Sequence, residues 1–170
     1  MFLVENGHVK RLGADDAPAL QSLLERCRDF LELALEAPRP DEASHFLANL
    51  PDGKTLEDKF VLGLYVDGTR ELAGVIDIVR HWPVKDEWII GLLLLDPTHR
   101  NAGLGARVHW ALEGWVRNQG ATGLRLVVQE QNPGALRFWQ RQGYAITGQT
   151  LQRTRTRENV IHLLRKPLDA

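Results

Sequence analysis

The stretch Asp96-Pro97-Thr98-His99-Arg100-Asn101-Ala102-Gly103-Leu104-Gly105 decides the fold. It follows an apolar run, residues 87–95, whose far end is hydrophobic on both faces, as in a central, covered strand. It opens an amphipathic segment, residues 103–119, with Leu104, Val108, Leu112 and Trp115 on one side and Gly120 as the stop. A strand that turns through glycines into a helix presents unpaired N–H groups and the positive end of the helix dipole. Gly103 and Gly105 remove side chains that would keep a ligand from those groups, and Arg100 adds positive charge at the rim. The combination makes an anion site suited to a pyrophosphate. It is neither of the two best-known phosphate turns. Gly105 is followed by Ala106 and Arg107 rather than Lys-Ser/Thr. Val108 stands where the dinucleotide fingerprint needs a third small residue. At this level a glycine-rich loop without a ligand is the alternative.

Working outward, residues 9–12 read as a short first strand. Asp15 or Asp16 caps a helix with Pro18 in its first turn, and Leu20, Leu23, Leu24 and Cys27 recur at helical spacing. A second helix over 41–50 follows the breaker Ala37-Pro38-Arg39-Pro40 and ends at Pro51-Asp52-Gly53. Strands follow over 60–66, 72–80 and 87–95, with Asp67-Gly68 as the first turn. Beyond the helix at 103–119 lie a strand at 124–128, a helix at 133–142 stopped by Gly143, and strands at 144–155 and 160–165 turning around Glu158-Asn159. The expected fold is α/β: a central mixed, mostly antiparallel sheet of about six or seven strands, flanked by helices on both faces, in a single domain over residues 1–170.

Composition narrows the partners. A hydrophobic share of 44% and a charged share of 25% suit a soluble globular domain. The net charge of −1 gives no basic field for nucleic acid or an anionic membrane, so neither is expected as a partner. Cys27 is the only cysteine, which excludes an internal disulfide and suits a reducing compartment. Residues 1–10 lack the apolar core of a signal peptide, and residues 88–95 are too short to span a bilayer; a cytoplasmic location is expected. His99 and His109 have no partner at metal-ligand spacing, so no metal is expected.

A second motif gives the turn its meaning. Arg-x-x-Gly-x-Gly at residues 100–105 is followed by Asn132-Pro133-Gly134-Ala135-Leu136-Arg137-Phe138-Trp139-Gln140-Arg141-Gln142-Gly143-Tyr144. The pair, in this order and at this spacing, resembles the GNAT (GCN5-related) N-acetyltransferase superfamily. There the first motif reads (Arg/Gln)-x-x-Gly-x-(Gly/Ala) and the second Asn-x-x-Ala-x-x-Phe-Tyr-x-(Lys/Arg)-x-Gly-(Phe/Tyr). The resemblance implies an acyl-CoA N-acyltransferase fold and acetyl-CoA (coenzyme A) as cosubstrate. It implies that the backbone N–H groups of Arg100, Asn101, Ala102, Gly103, Leu104 and Gly105 hold the pyrophosphate. The exposed backbone at Leu93 and Leu95 would pair with the pantetheine arm, and Asn132 would contact the cofactor beside the thioester. Phe138 and Tyr144 read as core packing; Arg141 reads either as a contact to the ribose phosphate or as a solvated helix face. Relatives are often dimers, and free strand edges would allow a homodimer here.

The implied activity is transfer of an acetyl group from acetyl-CoA to a primary amine of a small molecule or peptide, by direct attack in a ternary complex. One departure bears on mechanism. Trp139 replaces the family's usual tyrosine, the phenol thought to protonate the leaving thiolate. An indole donates a hydrogen bond but is not a practical acid. Trp139 is therefore expected to wall the cofactor site or hydrogen-bond the sulfur, with water protonating the thiolate instead. The amine must lose a proton, and Asp77, His81 and Glu87 are the candidate bases. Asp77 interrupts an apolar strand and shares a face with Val79 and His81 by alternation. Glu87 begins the strand that leads to the turn. For each, an ordinary surface or strand-end role is the alternative. Arg153, Arg155 and Arg157 read as a solvated face of the last hairpin or as a rim for an acidic substrate. Trp82, Trp88 and Tyr65 read as core or as an aromatic substrate wall. The second functional reading is a non-catalytic CoA-binding or sensing module.

Overall fold

The computed structural model describes residues 2–34, 38–153 and 158–168. Its strands are β1 (Phe2–Val4), β2 (Gly7–Arg11), β3 (Lys59–Val66), β4 (Gly74–Val79), β5 (Glu87–Leu95), β6 (Gly123–Gln129), β7 (Ala145–Arg153) and β8 (Glu158–Pro167). They form one sheet in the order β1-β2-β3-β4-β5-β6-β8-β7. Only β5 and β6 are parallel; every other neighbouring pair is antiparallel. The helices are α1 (Ala17–Arg26), α2 (Arg28–Ala34), α3 (Glu42–Ala48), α4 (Leu104–Asn118) and α5 (Pro133–Arg141).

Strand alternation sorts the side chains into two cores. On one face Leu62, Leu64, Ile76, Ile78 and Leu124 pack with Leu104, Val108, Leu112 and Val116 of α4. On the other, Val61, Val75 and Leu94 pack with Leu20, Leu23 and Leu24 of α1 and Ala43 of α3. Trp88 lies in the first core, stacked on Phe60 and edge-on to Trp115, so it is packing rather than substrate wall. Tyr65 stacks on His8 at the surface of β2–β3. Among the described residues no helix is long and apolar enough to cross a membrane.

The strand count is eight rather than six or seven, because β1 forms a hairpin with β2 through Asn6 in the left-handed region. Three residues are too few for alternation to register. Helix α2 begins one residue after Cys27 ends α1, so in the sequence it reads as the tail of the first helix. The last turn also moves. Asn159 pairs with Gln152 and Glu158 with Arg153, so both residues belong to β8. The turn, with Arg155 and Arg157, lies outside the described residues, and Arg153 pairs with Glu158 at 2.7 Å. Strand β4 ends at Val79, and His81 sits beyond it at φ 54°, so His81 does not share a strand face with Asp77.

Two local features position the site. Asp77 pairs with Leu92 but Ile78 pairs with Ile90, so Gly91 is an extra residue on β5, a β-bulge. Strands β5 and β6 pair only from Glu87–Gly123 to Ile90–Leu126. Beyond the bulge they part, leaving the edge of residues 91–95 without a strand neighbour among the described residues.

The core between α4 and the sheet contains a neutral histidine. His109 is 1% exposed, and its Nε2 lies 3.0 Å from the Tyr144 hydroxyl, with Trp139 packed edge-on to both rings. Burial, helped by Lys166, lowers its pKa to about 4, and burial raises that of Tyr144. The unfolded chain binds a proton at His109 below its ordinary pKa of about 6.5, while the folded chain resists until about 4, so folding stability is lost as pH falls through that window. A shift of this size corresponds to roughly 3 kcal/mol by pH 4. Urea unfolding of His109→Gln should therefore show a flatter loss of stability between pH 6.5 and 4 than wild type; equal slopes would contradict the neutral, buried histidine.

Candidate active site

The split between β5 and β6 leads to the glycine turn. Asp96, at the end of β5, accepts hydrogen bonds from the Thr98 backbone and hydroxyl and from Arg26 of α1. Burial works to raise its pKa, but these donors outweigh it and hold the carboxyl at about 2. The anchored aspartate caps the 3-10 turn Pro97–His99 and fixes where the chain enters α4. Asn101 and Gly103 then take positive φ, 62° and 77°, conformations that asparagine and glycine tolerate best. The first bonds of α4 run from the N–H groups of Ala106 and Arg107 to the Gly103 carbonyl. The preceding N–H groups of Gly103, Leu104 and Gly105 are left without helical partners, as an anion site requires.

Around this turn the side chains take different places from those the motif alone implies. Arg100 turns away from the helix start: its Nε donates to the Leu95 carbonyl at 2.8 Å, and its two terminal nitrogens donate to Asp29 of α2 at 2.6 and 3.2 Å. The Leu95 carbonyl also accepts from Cys27 Sγ at 3.4 Å, so it is occupied by the protein itself. Leu93 keeps a place on the unpaired edge of β5. Asn132 caps α5, its Oδ1 accepting from the Ala135 N–H at 3.1 Å. The Phe138 ring lies against Gly105, 3.5 Å from where a β-carbon would stand. Trp139 is buried against His109, Phe138 and Tyr144. Its ring packs in the core between α4 and the sheet.

The two carboxylates singled out as bases stand in opposite environments. Glu87, buried at the start of β5, is gripped by Arg125 of β6 and by Arg165 of β8, the latter at 2.8 and 3.0 Å. Hydrogen bonds from Arg165 foremost, then Arg125, hold its carboxyl below the usual range despite burial. It lies over Gly123, where a β-carbon would stand 3.1 Å from its carboxyl carbon. Glu87 thus ties three strands together where β5 and β6 are still paired, and is a poor proton acceptor. Asp77 lies beyond, where the bulge begins. Burial pushes its carboxyl above the usual range, and Lys59 of β3 draws it part of the way back. Its Oδ2 is 3.0 Å from where a β-carbon on Gly91 would be, and Gly91 itself is exposed.

Lys59, Gly91 and Asp29 stand beside the candidate residues and have no role assigned from the sequence alone. An isolated glycine inside an apolar strand is a signal for a bulge, and it was present at Gly91. Lys59 reads as the polar flank of a strand, and Asp29 as a solvated helix residue. Among the described residues no group of three or more His, Cys, Asp or Glu side chains could hold a metal ion.

Comparison with known proteins agrees with this geometry. The acetyltransferase (GNAT) family model matches residues 20–144. The chain therefore belongs to the GNAT acetyltransferase family, whose chemistry is acyl transfer from acyl-coenzyme A. An acetyltransferase from Thermus thermophilus superposes with a TM-score of 0.71 at 23% identity, covering 99% of this chain and 100% of its own. The ribosomal-protein-S18-alanine N-acetyltransferase of Escherichia coli gives 0.68 at 18% identity, with 96% of this chain and 95% of its own covered. An N-acetyltransferase from Staphylococcus aureus gives 0.72 at 12% identity, with 97% and 100% covered. At these identities the likeness is one of fold. No curated protein sequence matches significantly.

The orientation of Arg100 has a measurable consequence. Arg100→Ala removes a clamp between α2 and the end of β5, and should cost stability of about 1 kcal/mol, since Asp29 is largely exposed. Calorimetry should find coenzyme A affinity reduced only about two- to fivefold, below the loss of a direct charge-assisted hydrogen bond. A loss of about a hundredfold would place the guanidinium on the phosphates.

Proposed function

We propose that the protein transfers an acetyl group from acetyl-CoA to a primary amine of a small molecule or peptide, by direct attack in a ternary complex. The observation that carries the reading is Asp77: a half-buried carboxylate with a raised pKa, lying against the bulge where β5 leaves β6. Acetyl-CoA, when bound, supplies the activated acyl carbon. The N–H groups at the start of α4 would hold its pyrophosphate, and the free edge near Leu93 would take its extended arm. The chain's own chemical task is to bring the amine to Asp77 and accept its proton there. The amine nitrogen then forms the C–N bond as the C–S bond breaks, and Asp77 returns its proton to solvent. A carboxylate with a raised pKa is a stronger base than an exposed one and suits this task.

The leaving thiolate needs no protein acid. A free thiol has a pKa only about one or two units above neutral, so water can protonate it. The two tyrosines support this: Tyr144 is buried against His109, and Tyr65 stacks on His8 away from the split. The same observation favours a second reading, a non-catalytic CoA-binding or sensing module, because the usual phenol is missing. Free thiol released from acetyl-CoA over a panel of amines separates the two; coenzyme A binding with no release on any amine favours the module.

For the enzyme reading, Asp77→Asn should lower kcat/KM by about 10²–10⁴-fold and remove the acid limb of its pH profile. An unchanged limb would exclude Asp77 as the base. Trp139→Phe should keep kcat within about fivefold while lowering the unfolding midpoint, as expected of a packed ring. Loss of transfer with acetyl-CoA affinity intact would return Trp139 to the chemistry.

A further inference from the structure

The side chain of Lys59, the first residue of β3, is only 4% exposed. Lys59 pairs with Val79 and Val61 with Asp77, so Lys59 and Asp77 are diagonal neighbours on one face of the sheet. The ammonium donates to the Asn49 carbonyl, just past α3, at 2.8 Å and to Asp77 Oδ2 at 3.2 Å. It also stands 5.3 Å from the centre of the Phe46 ring, within cation–π range. It is 3.1 Å from Asp77 Oδ1 but not aligned to donate, and that buried oxygen has no hydrogen-bond partner. A buried ion pair is a costly way to stabilise a fold, and an apolar pair of similar volume often serves as well. A pair serving stability alone would be expected to satisfy both carboxylate oxygens. Here the oxygen that Lys59 holds, Oδ2, is also the one that faces Gly91 of the bulge, while Oδ1 is enclosed beside the ammonium without a hydrogen bond.

We infer that Lys59 is a positioning residue for proton removal from the acceptor: anchored beneath α3, it keeps Asp77 ionised and fixes the carboxylate with Oδ2 on the side of Gly91, where it receives the acceptor's proton. This rests on Asp77 being the base. The proton passes from the acceptor nitrogen to Asp77 and then to solvent, and no bond to Lys59 is made or broken. The charges around Asp77 are few. β3 contributes Lys59, β5 contributes Gly91 and Leu92, and α3 contributes the Phe46 ring and, just beyond it, the Asn49 carbonyl. Next in line, Arg80 is paired with Asp58 at 3.0 Å, and Arg11 donates to the Leu56 and Lys59 carbonyls.

The test is a carbon-13 NMR titration of aspartate carboxyls in the full chain without ligand, with the Asp77 signal assigned by its loss in Asp77→Asn. In Lys59→Met the Asp77 midpoint should rise by about 1 pH unit or more, and in Lys59→Arg it should stay within about half a unit of wild type. Lys59→Gln gives the same reading if the methionine variant does not fold. The acid limb of kcat/KM should move by the same amount in the same direction. A folded Lys59→Met or Lys59→Gln whose Asp77 midpoint is unmoved overturns the inference. So does a midpoint that moves while the acid limb stays. An acid limb that survives Asp77→Asn instead removes the base reading itself, whatever Lys59 does to the titration.

Discussion

The structure depends on an interrupted strand pairing. Among the described residues β5 and β6 form the only parallel pair, and they hold together for four residue pairs before a single extra residue, Gly91, turns β5 away. Parallel strands in a covered sheet ordinarily run on as neighbours. Here their separation leaves one edge of β5 without a strand neighbour among the described residues, directly before the turn that begins α4. The turn needs a fixed entry, which Asp96 gives by gathering Thr98 and Arg26, and a fixed flank, which Arg100 gives by bridging Asp29 and the Leu95 carbonyl. Elements that are far apart in sequence thus converge on one break in a hydrogen-bond ladder.

Charge is distributed along that break according to need. At the closed end Glu87 meets two arginines from two strands, and the net excess of donors holds it ionised and inert. At the open end Asp77 meets one ammonium, and burial dominates its titration. Two acids near the two ends of the paired segment therefore differ by environment rather than by type. One fastens the strands; the other carries the base role proposed above.

Much of this was legible in the sequence. The order of elements, the inner position of residues 87–95 and the helix-start turn followed from periodicity and glycine placement, and the two motifs together pointed to the family. What was not legible depended on side-chain direction. The Arg100 side chain reads as a charge at the rim of the turn, and its bonds to Asp29 are not visible in the sequence. The packing of Trp139 against His109 and Tyr144 is likewise not visible in the sequence. His81 shares a face with Asp77 only if β4 runs two residues further than it does. Lys59 and Asp77 are 18 residues apart, and only the β3–β4 register brings them together. Pairings of this kind belong to tertiary structure, which residue spacing along one chain does not encode.

The short seam between β5 and β6 also bears on how the domain holds together. Strands β1 to β5 carry α1 to α3, and strands β6 to β8 follow α4; the sheet connects these halves through four residue pairs and the Glu87 cluster. An extended ligand lodged in the split would act as a missing strand, adding backbone hydrogen bonds where the protein has none. On the proposed reading, substrate capture and the cohesion of the two half-sheets would be one event, and the domain would be most unified while it holds its donor.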